Sequence, residues 1–272
     1  MPENKSSKNT MNVKDIITVK EIVKSAAQDE LLPRFAKVER EHKTDGSIVT
    51  EADYAVHNRL IEQLSSGWPE FVILSEEMTV QQQQQALSSG QPVWCLDPLD
   101  GTSNFAAGIP YFAVSLSLIQ EAEIKLGLVY DPLRDECFFS QQNAAAELNN
   151  KTLSLKPAGI NLKQTSAIID FKRLSDDLAC RIIKEKPFSS QRNYGASALD
   201  WCWLAAARGH LYLHGKQNIW DYSAGYLIFK QAGGYACTVD AEPVFTNTLE
   251  PRSVLAATDE SLFLQWKQWI AM

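Results

Sequence analysis

Apolar residues recur at helical spacing in the first part of the chain. Between Val13 and Leu31 they fall on one face of a helix, and Pro33 predicts its end. A second helix is expected from Thr50, because Thr-Glu-Ala-Asp at 50–53 has the form of a capping box with aspartate in the reciprocal position. The chain is therefore expected to open with two amphipathic helices.

Apolar runs between polar turns predict a mixture of strands and helices, and hence an α+β fold. The first two strands, 71–74 and 92–96, lead into acidic residues. Further strands are expected over 111–119, 123–130, 135–140, 165–170 and 210–214. Helices are expected near 175–185, over 197–207, from Asp221 to Gly233, and around Leu262, Trp266 and Trp269. The glutamine run at 81–85 predicts a solvated loop.

Composition narrows the class of protein. The 272 residues carry a formal net charge of -7, which argues against binding to nucleic-acid phosphates. The five cysteines are scattered without a CxxC pair, as is typical of reduced thiols in the cytoplasm. The N-terminus has no apolar signal segment, and no apolar run is long enough to span a membrane. We expect a cytoplasmic protein without nucleic-acid or membrane partners.

Two carboxylates lie three residues apart at the end of the second predicted strand. Asp97 and Asp100 flank a proline, which stiffens the turn and lets both carboxylates face one point. Oxygen ligands of this kind suit Mg²⁺, and the carbonyl of Leu99 offers another. Gly101 lets the backbone approach a ligand, and the following Thr-Ser can open a helix whose free amides bind phosphate.

Two other segments supply acidic residues. Glu76 and Glu77 follow the first predicted strand, where a pair of glutamates is also compatible with a solvated face. Asp221 precedes small residues at 223–225, and it either caps a helix or points into a site. Cys95 lies within a predicted buried strand, which favours a core thiol over a nucleophile.

The segments 43–53, 75–77, 97–105 and 220–225 together resemble the inositol monophosphatase family, within the lithium-sensitive, Mg²⁺-dependent phosphatases. The resemblance implies a layered αβαβα sandwich, usually a homodimer, that uses two or three Mg²⁺ ions to direct water against a small phosphate ester. The polar start of the chain and the turn signal at 149–151 predict a division into a flexible tail (1–11), a metal-binding half (12–150) and a half that completes the active site (151–272).

The resemblance assigns a role to each candidate residue. The first metal ion would be bound by Glu76, Asp97 and the Leu99 carbonyl, and the second by Asp97, Asp100 and Asp221. Glu76 would also hold a third ion through water. The phosphate would be received by Gly101, Thr102 and Ser103, next to Asp100. The hydroxyl of Thr102 would orient the attacking water with an acidic partner, for which Asp45 is the candidate, and Lys43 could add a nearby charge.

The alcohol part of the substrate is the least determined. The segment Gly195-Ala196-Ser197 matches a helix start of the family and would line the pocket together with His214 and Asp221. His214 stands where inositol-specific members carry a glutamate, so either it lines the pocket or it is a strand-end residue. Inositol monophosphate is the first expected substrate. The alternatives are fructose 1,6-bisphosphate, 3′-phosphoadenosine 5′-phosphate, histidinol phosphate, and a non-catalytic role as an accessory binding factor.

Overall fold

The computed structural model describes residues 11–39, 41–42 and 48–272. Of the predicted tail, only Met11 is described, and it is buried. The helices are α1 (Val13–Ala26), α2 (Glu51–Gly67), α3 (Val80–Leu87), α4 (Thr102–Ala107), α5 (Asp176–Glu185), α6 (Ser197–Ala205), α7 (Ile219–Gln231) and α8 (Glu260–Ile270). A π-helical turn, Ala27–Leu31, extends α1 to the predicted end. No described helix has both the length and the apolar character needed to cross a bilayer.

Fourteen strands are assigned within the described residues, and most of them form two sheets. They are β1 (Glu41–His42), β2 (Ile48–Val49), β3 (Val72–Ser75), β4 (Val93–Asp100), β5 (Ala113–Gln120), β6 (Glu123–Asp131), β7 (Glu136–Gln141), β8 (Glu147–Leu148), β9 (Lys151–Thr152), β10 (Ser166–Asp170), β11 (Ser190–Arg192), β12 (Leu211–Gln217), β13 (Tyr235–Cys237) and β14 (Arg252–Ala257). The larger sheet has the order β3-β4-β5-β6-β7-β8-β9, the smaller β11-β10-β12-β14-β13, and β1 pairs with β2.

The side chains of β4 alternate between two apolar cores. Trp94 and Leu96 pack with α1 and α2 on one face of the larger sheet. Cys95 faces the other side, where α6 and α7 lie between the two sheets. Helices α5 and α8 cover the far face of the smaller sheet, with Ile182 and Trp266 in that core. The layers are therefore helix, sheet, helix, sheet, helix, which confirms the expected αβαβα sandwich.

The loop predicted for the glutamine run is wrong, because residues 80–87 form helix α3. Thr79 caps the helix, and Gln82 completes a capping box with the Thr79 backbone. Gln83 is buried and donates from Nε2 to the carbonyl of Ser75 at 2.9 Å. Glutamine is a good helix former, so an amide run with a cap and one buried contact becomes a helix.

Candidate active site

Strand β4 continues past the predicted end and carries both aspartates of the motif. Its pairing with β5 shifts register between Asp97 and Asp100, so an irregularity in the ladder separates the two carboxylates. The Leu99 amide donates to Asp97 Oδ1 at 3.0 Å. Both aspartates are buried. The backbone irregularity at this strand end therefore fixes the two side chains.

Asp100 also connects β4 to the C-terminal half of the chain. Its Oδ1 accepts the Ser197 amide at 3.2 Å, and its Oδ2 accepts the Ala198 amide at 2.7 Å. These amides belong to the first turn of α6, which has no partner for them within the helix. A carboxylate is favourable at this end of the helix dipole, so Asp100 is anchored where α6 begins.

Asp221 occupies the first turn of α7. Its Oδ2 accepts the Asn218 amide at 2.8 Å in a capping box, as the sequence allowed. The capping role and the site role are compatible, because this helix end lies beside the other acids. Burial raises the pKa of Asp221, and the negative charges of Glu76 and Asp100 raise it further.

Four carboxylates therefore share one region, the acidic cluster of Glu76, Asp97, Asp100 and Asp221. Burial raises the pKa of Asp97, as do the charges of the other three. Burial likewise raises the pKa of Asp100 to about 7, against the effect of its backbone hydrogen bonds. Repulsion among buried carboxylates is relieved by a cation, and hard cations such as Mg²⁺ prefer oxygen ligands.

The acidic cluster fits a hard cation by charge and by donor atoms, but its side chains are not drawn together into a finished coordination shell. Across residues 11–39, 41–42 and 48–272, no three or more His, Cys, Asp or Glu side chains form a group that could hold a metal ion as they stand. Like charges repel at short range, and a bound cation offsets that repulsion.

Gly101 is required by the geometry between the acidic cluster and α4. It has φ of 90°, and a Cβ atom there would lie 3.0 Å from both the Ala196 Cβ and the Tyr111 carbonyl oxygen. Helix α4 begins at the next residue, and its first hydrogen bond joins the Phe105 amide to the Gly101 carbonyl. The amides of residues 102–104 precede that bond, so the predicted phosphate-binding residues Thr102 and Ser103 lie at the opening of the helix.

The acidic partner of Thr102 within the described residues is Asp53. Thr102 Oγ1 lies 3.0 Å from Asp53 Oδ1 and 2.9 Å from the Leu99 carbonyl oxygen. The other oxygen of Asp53 accepts the Thr50 amide and hydroxyl, both at 2.7 Å. Burial raises the pKa of Asp53 to about 6 despite these hydrogen bonds. Asp45 and Lys43 lie outside the described residues.

Sequence reasoning assigned Asp53 only to a helix cap. The capping box is correct, and it uses one carboxylate oxygen. The second oxygen meets a residue 49 positions away. The available signal was that Asp53 closes the first of the four segments that carried the family resemblance.

Gly195 and its neighbours, which are predicted to line the pocket, lie against α4. Asn104 Nδ2 donates to the carbonyl oxygens of Tyr111 and Tyr194, at 2.8 and 2.7 Å. Gly195 has φ of 83°, and a Cβ atom there would lie 3.4 Å from the Asn104 amide nitrogen. Asn104 thus joins the motif of β4 and α4 to the loop that leads into Ala196 and α6.

His214 is buried and engaged on both ring nitrogens. Its Nε2 lies 3.2 Å from Asp170 Oδ2, and its Nδ1 accepts the Lys216 amide at 3.2 Å. Because Nδ1 accepts, the ring is neutral with its proton on Nε2. Burial lowers the pKa of His214, in agreement with that state. His214 is thereby committed to contacts within the protein.

Cys95 is an unreactive core residue. Burial raises the pKa of its thiol to about 12, so the thiolate needed for nucleophilic attack is not available near neutral pH.

Comparisons with known proteins identify the family and the fold. The sequence model of the inositol monophosphatase family matches residues 7–269. The fructose-1,6-bisphosphatase/inositol-1-monophosphatase of Aquifex aeolicus is 30% identical over 240 residues, which are 85% of this chain and 88% of that protein. The Nus factor SuhB of Xylella fastidiosa is 29% identical over 225 residues, which are 79% and 80% of the two chains. The solved structure of a Thermotoga maritima IMPase has a TM-score of 0.82 at 22% identity, covering 95% of this chain and 98% of that one.

The layered fold is that of solved IMPase structures, and the family model and the relatives indicate a protein of the phosphatase class. More particularly, the chain belongs to the inositol monophosphatase family, because the family match spans nearly its whole length.

Proposed function

We propose that this protein hydrolyses a small phosphomonoester with the help of two or three Mg²⁺ ions held by the acidic cluster. The observation that carries the proposal is the Thr102 hydroxyl, which lies 3.0 Å from a buried carboxylate and adjoins that cluster. Glu76, Asp97, Asp100, Asp221 and the Leu99 carbonyl are the proposed ligands. When bound, Mg²⁺ supplies the positive charge that a phosphate ester needs in order to enter an acidic site and react there.

The protein's own residues position the water and the phosphate. The Thr102 hydroxyl donates to Asp53 and accepts a hydrogen bond from the attacking water. As the water attacks, Thr102 receives its proton and passes its own hydroxyl proton to Asp53. The amides at Gly101, Thr102 and Ser103 bind the phosphate oxygens. Asp100 holds α6 against this pocket through two backbone amides, so the two halves of the chain keep a fixed spacing around the substrate.

Inositol monophosphate is the first substrate to test. The alternatives are fructose 1,6-bisphosphate, 3′-phosphoadenosine 5′-phosphate and histidinol phosphate, all of which present a phosphate ester to the same acidic residues. Family membership also supports a cytoplasmic homodimer that lithium inhibits. The choice of substrate depends on the residues that meet the alcohol.

The test is phosphate release from these four substrates by purified protein, before and after exhaustive chelation. We expect turnover of at least one substrate, loss of turnover after chelation, and recovery on titration with Mg²⁺ but not with Na⁺. Equal turnover by the chelated and the Mg²⁺-restored protein would contradict the proposed chemistry.

A second candidate function is accessory binding, because the Xylella fastidiosa relative is named as a Nus factor. The retention of all four acids favours catalysis over a binding role alone. Complementation separates the two. In a strain that lacks this protein, a catalytically inactive Asp97→Asn chain that restores growth fully would support the binding role.

A further inference from the structure

The turn that carries Glu76 is held by two neighbouring elements. Glu76 follows β3, which pairs in parallel with β4 so that Ser75 lies opposite Leu96. The Glu76 amide donates to the Leu96 carbonyl at 3.2 Å, so the backbones of Glu76 and Asp97 lie side by side where the two strands meet the site. The Ser75 carbonyl accepts Gln83 Nε2 from α3 at 2.9 Å. The backbone around Glu76 is therefore fixed to β4 and to α3.

Ser75 has a further contact, with a histidine on α2. His57 Nδ1 lies 3.0 Å from Ser75 Oγ. Ser75 is completely buried, and its hydroxyl oxygen also accepts the Glu77 amide at 3.4 Å. A hydroxyl can donate one hydrogen bond while it accepts another. This one side chain therefore connects α2 to the residues on either side of Glu76.

The same face of α2 carries the proposed proton acceptor. Asp53 and His57 are four residues apart, which places them one helical turn from each other on one face. Asp53 contacts Thr102 at the opening of α4, and His57 contacts the end of β3. Between and beyond them, Val56 and Leu60 are buried in the core that α2 shares with the larger sheet. One packed helix thus contacts two parts of the candidate active site.

These contacts bear on metal binding because Glu76 belongs to a group of like charges. Carboxylates in one region repel one another, and a bound cation offsets that repulsion. A turn that already holds its carboxylate in place loses less of the cation's binding free energy to ordering. Partners that orient metal ligands commonly change metal affinity by about 10- to 100-fold.

We propose that His57 is a positioning residue that acts through the Ser75 hydroxyl to hold the Glu76 turn in place for Mg²⁺ binding. The inference rests on the proposed function, because it takes Glu76 to be a metal ligand. It assigns to His57 an effect on metal affinity. A contact that only joined α2 to β3 would affect stability alone.

Titration of Mn²⁺ into chelated protein measures metal affinity without substrate or turnover. Mn²⁺ takes the same oxygen ligands as Mg²⁺, and the electron paramagnetic resonance signal of the free ion reports how much is bound. We expect His57→Ala and Ser75→Ala each to raise the Mn²⁺ dissociation constant by about 10-fold, the lower end of the range for partners of metal ligands. The double variant should be no weaker than the single variants, because both substitutions break one hydrogen bond.

Two conservative variants separate positioning from packing. His57→Asn places an amide near the position of Nδ1 and should restore most of the Mn²⁺ affinity. His57→Gln reaches the position of Nε2 instead and should not restore it. If His57→Ala does not fold, this comparison decides the question, and equal affinities of the asparagine and glutamine variants would overturn the inference.

The chain offers a matched control pair on the smaller sheet. His210 Nδ1 lies 3.0 Å from Ser166 Oγ at the start of β10, in the same kind of contact. His210→Ala and Ser166→Ala should leave the Mn²⁺ dissociation constant unchanged. An equal increase in this pair, or unchanged affinity in folded His57→Ala and Ser75→Ala, would overturn the inference. If the unaltered protein binds no Mn²⁺, or if Glu76→Gln binds it as tightly, the proposed function itself has failed instead.

Discussion

The acidic cluster differs in charge and in burial from the group that Asp170, Arg173 and His214 form, which we call the Arg173 group. The acidic cluster gathers four carboxylates whose mutual repulsion raises the pKa values of Asp97, Asp100 and Asp221 beyond the effect of burial. In the Arg173 group, one carboxylate is neutralised by a guanidinium and hydrogen-bonded to a neutral imidazole. The first arrangement needs an added cation, whereas the second is satisfied within the protein and offers only the exposed part of Arg173.

The two groups also differ in how the sequence encodes them. Asp97, Asp100 and the phosphate-binding residues follow one another within a single strand, turn and helix. The Arg173 group depends on the parallel pairing of β10 with β12, which brings together residues 44 positions apart. The difference teaches that residues of one short motif can be recognised in the sequence, while a group assembled by strand pairing cannot.

The largest expected effect comes from Asp97→Asn. We expect kcat to fall by roughly 10³-fold, equivalent to about 4 kcal/mol of activation free energy, because the variant removes a charge that both proposed ions share. Folding should be retained, since Asp97 is repelled by three neighbouring carboxylates and its removal relieves that repulsion.

Phosphate release at saturating Mg²⁺ measures the effect of Asp97→Asn on catalysis, and thermal unfolding without Mg²⁺ measures folding. Turnover near that of the unaltered protein would show that the acidic cluster is not the catalytic centre. A variant that fails to fold would show that Asp97 serves stability, contrary to the expected relief of repulsion.

Asp53→Asn tests whether one residue both caps α2 and accepts a proton. We expect kcat to fall by about 10²-fold, the lower end of the range for losing a general base. Combined with Thr102→Val, the loss should be far from additive, because both substitutions break one hydrogen-bonded unit.

The chain offers a matched control for this variant. Asp15 completes the capping box of α1 with Asn12, as Asp53 does with Thr50 in α2. Asp15→Asn should therefore weaken a helix cap with no loss of turnover. If the two variants lose equal activity, Asp53 acts through the helix cap alone.

Much of the fold and the acidic cluster could be predicted, because the signals were local. Neighbouring residues alone predict the Thr50 cap, the strand before Asp97 and the end of the helix near Gly233. The second partner of Asp53 and the pairing of Asp170 with His214 could not be predicted, because each depends on where distant strands and helices pack. The loop predicted for the glutamine run was wrong for another reason. A run of polar residues has no apolar stripe, so the sequence did not indicate that one face of α3 is buried.

Lithium tests the acidic cluster by competing for its metal ions, without changing a side chain. Family membership leads us to expect inhibition by Li⁺ at about millimolar concentration, because a monovalent ion in the acidic cluster cannot supply the charge of Mg²⁺. If the acidic cluster is common to all substrates, the fractional inhibition of fructose 1-phosphate and fructose 1,6-bisphosphate hydrolysis should be the same. NaCl at equal concentration is the control, and substrate-selective inhibition would mean that lithium acts outside the acidic cluster.

The smallest expected effect concerns the stability contributed by His214. Burial lowers its pKa below the ordinary value of 6.5, so the folded protein binds this proton less readily than the unfolded chain does. The stabilising contribution is therefore complete above about pH 6.5 and decreases as pH falls below it. We expect the unfolding free energy of His214→Gln to lie closer to that of the unaltered protein at pH 5.5 than at pH 7.5. Urea unfolding at the two pH values measures this. A pH-independent difference would mean that folding leaves the pKa of His214 unchanged, and a larger difference at pH 5.5 than at pH 7.5 would mean that His214 is protonated beside Asp170.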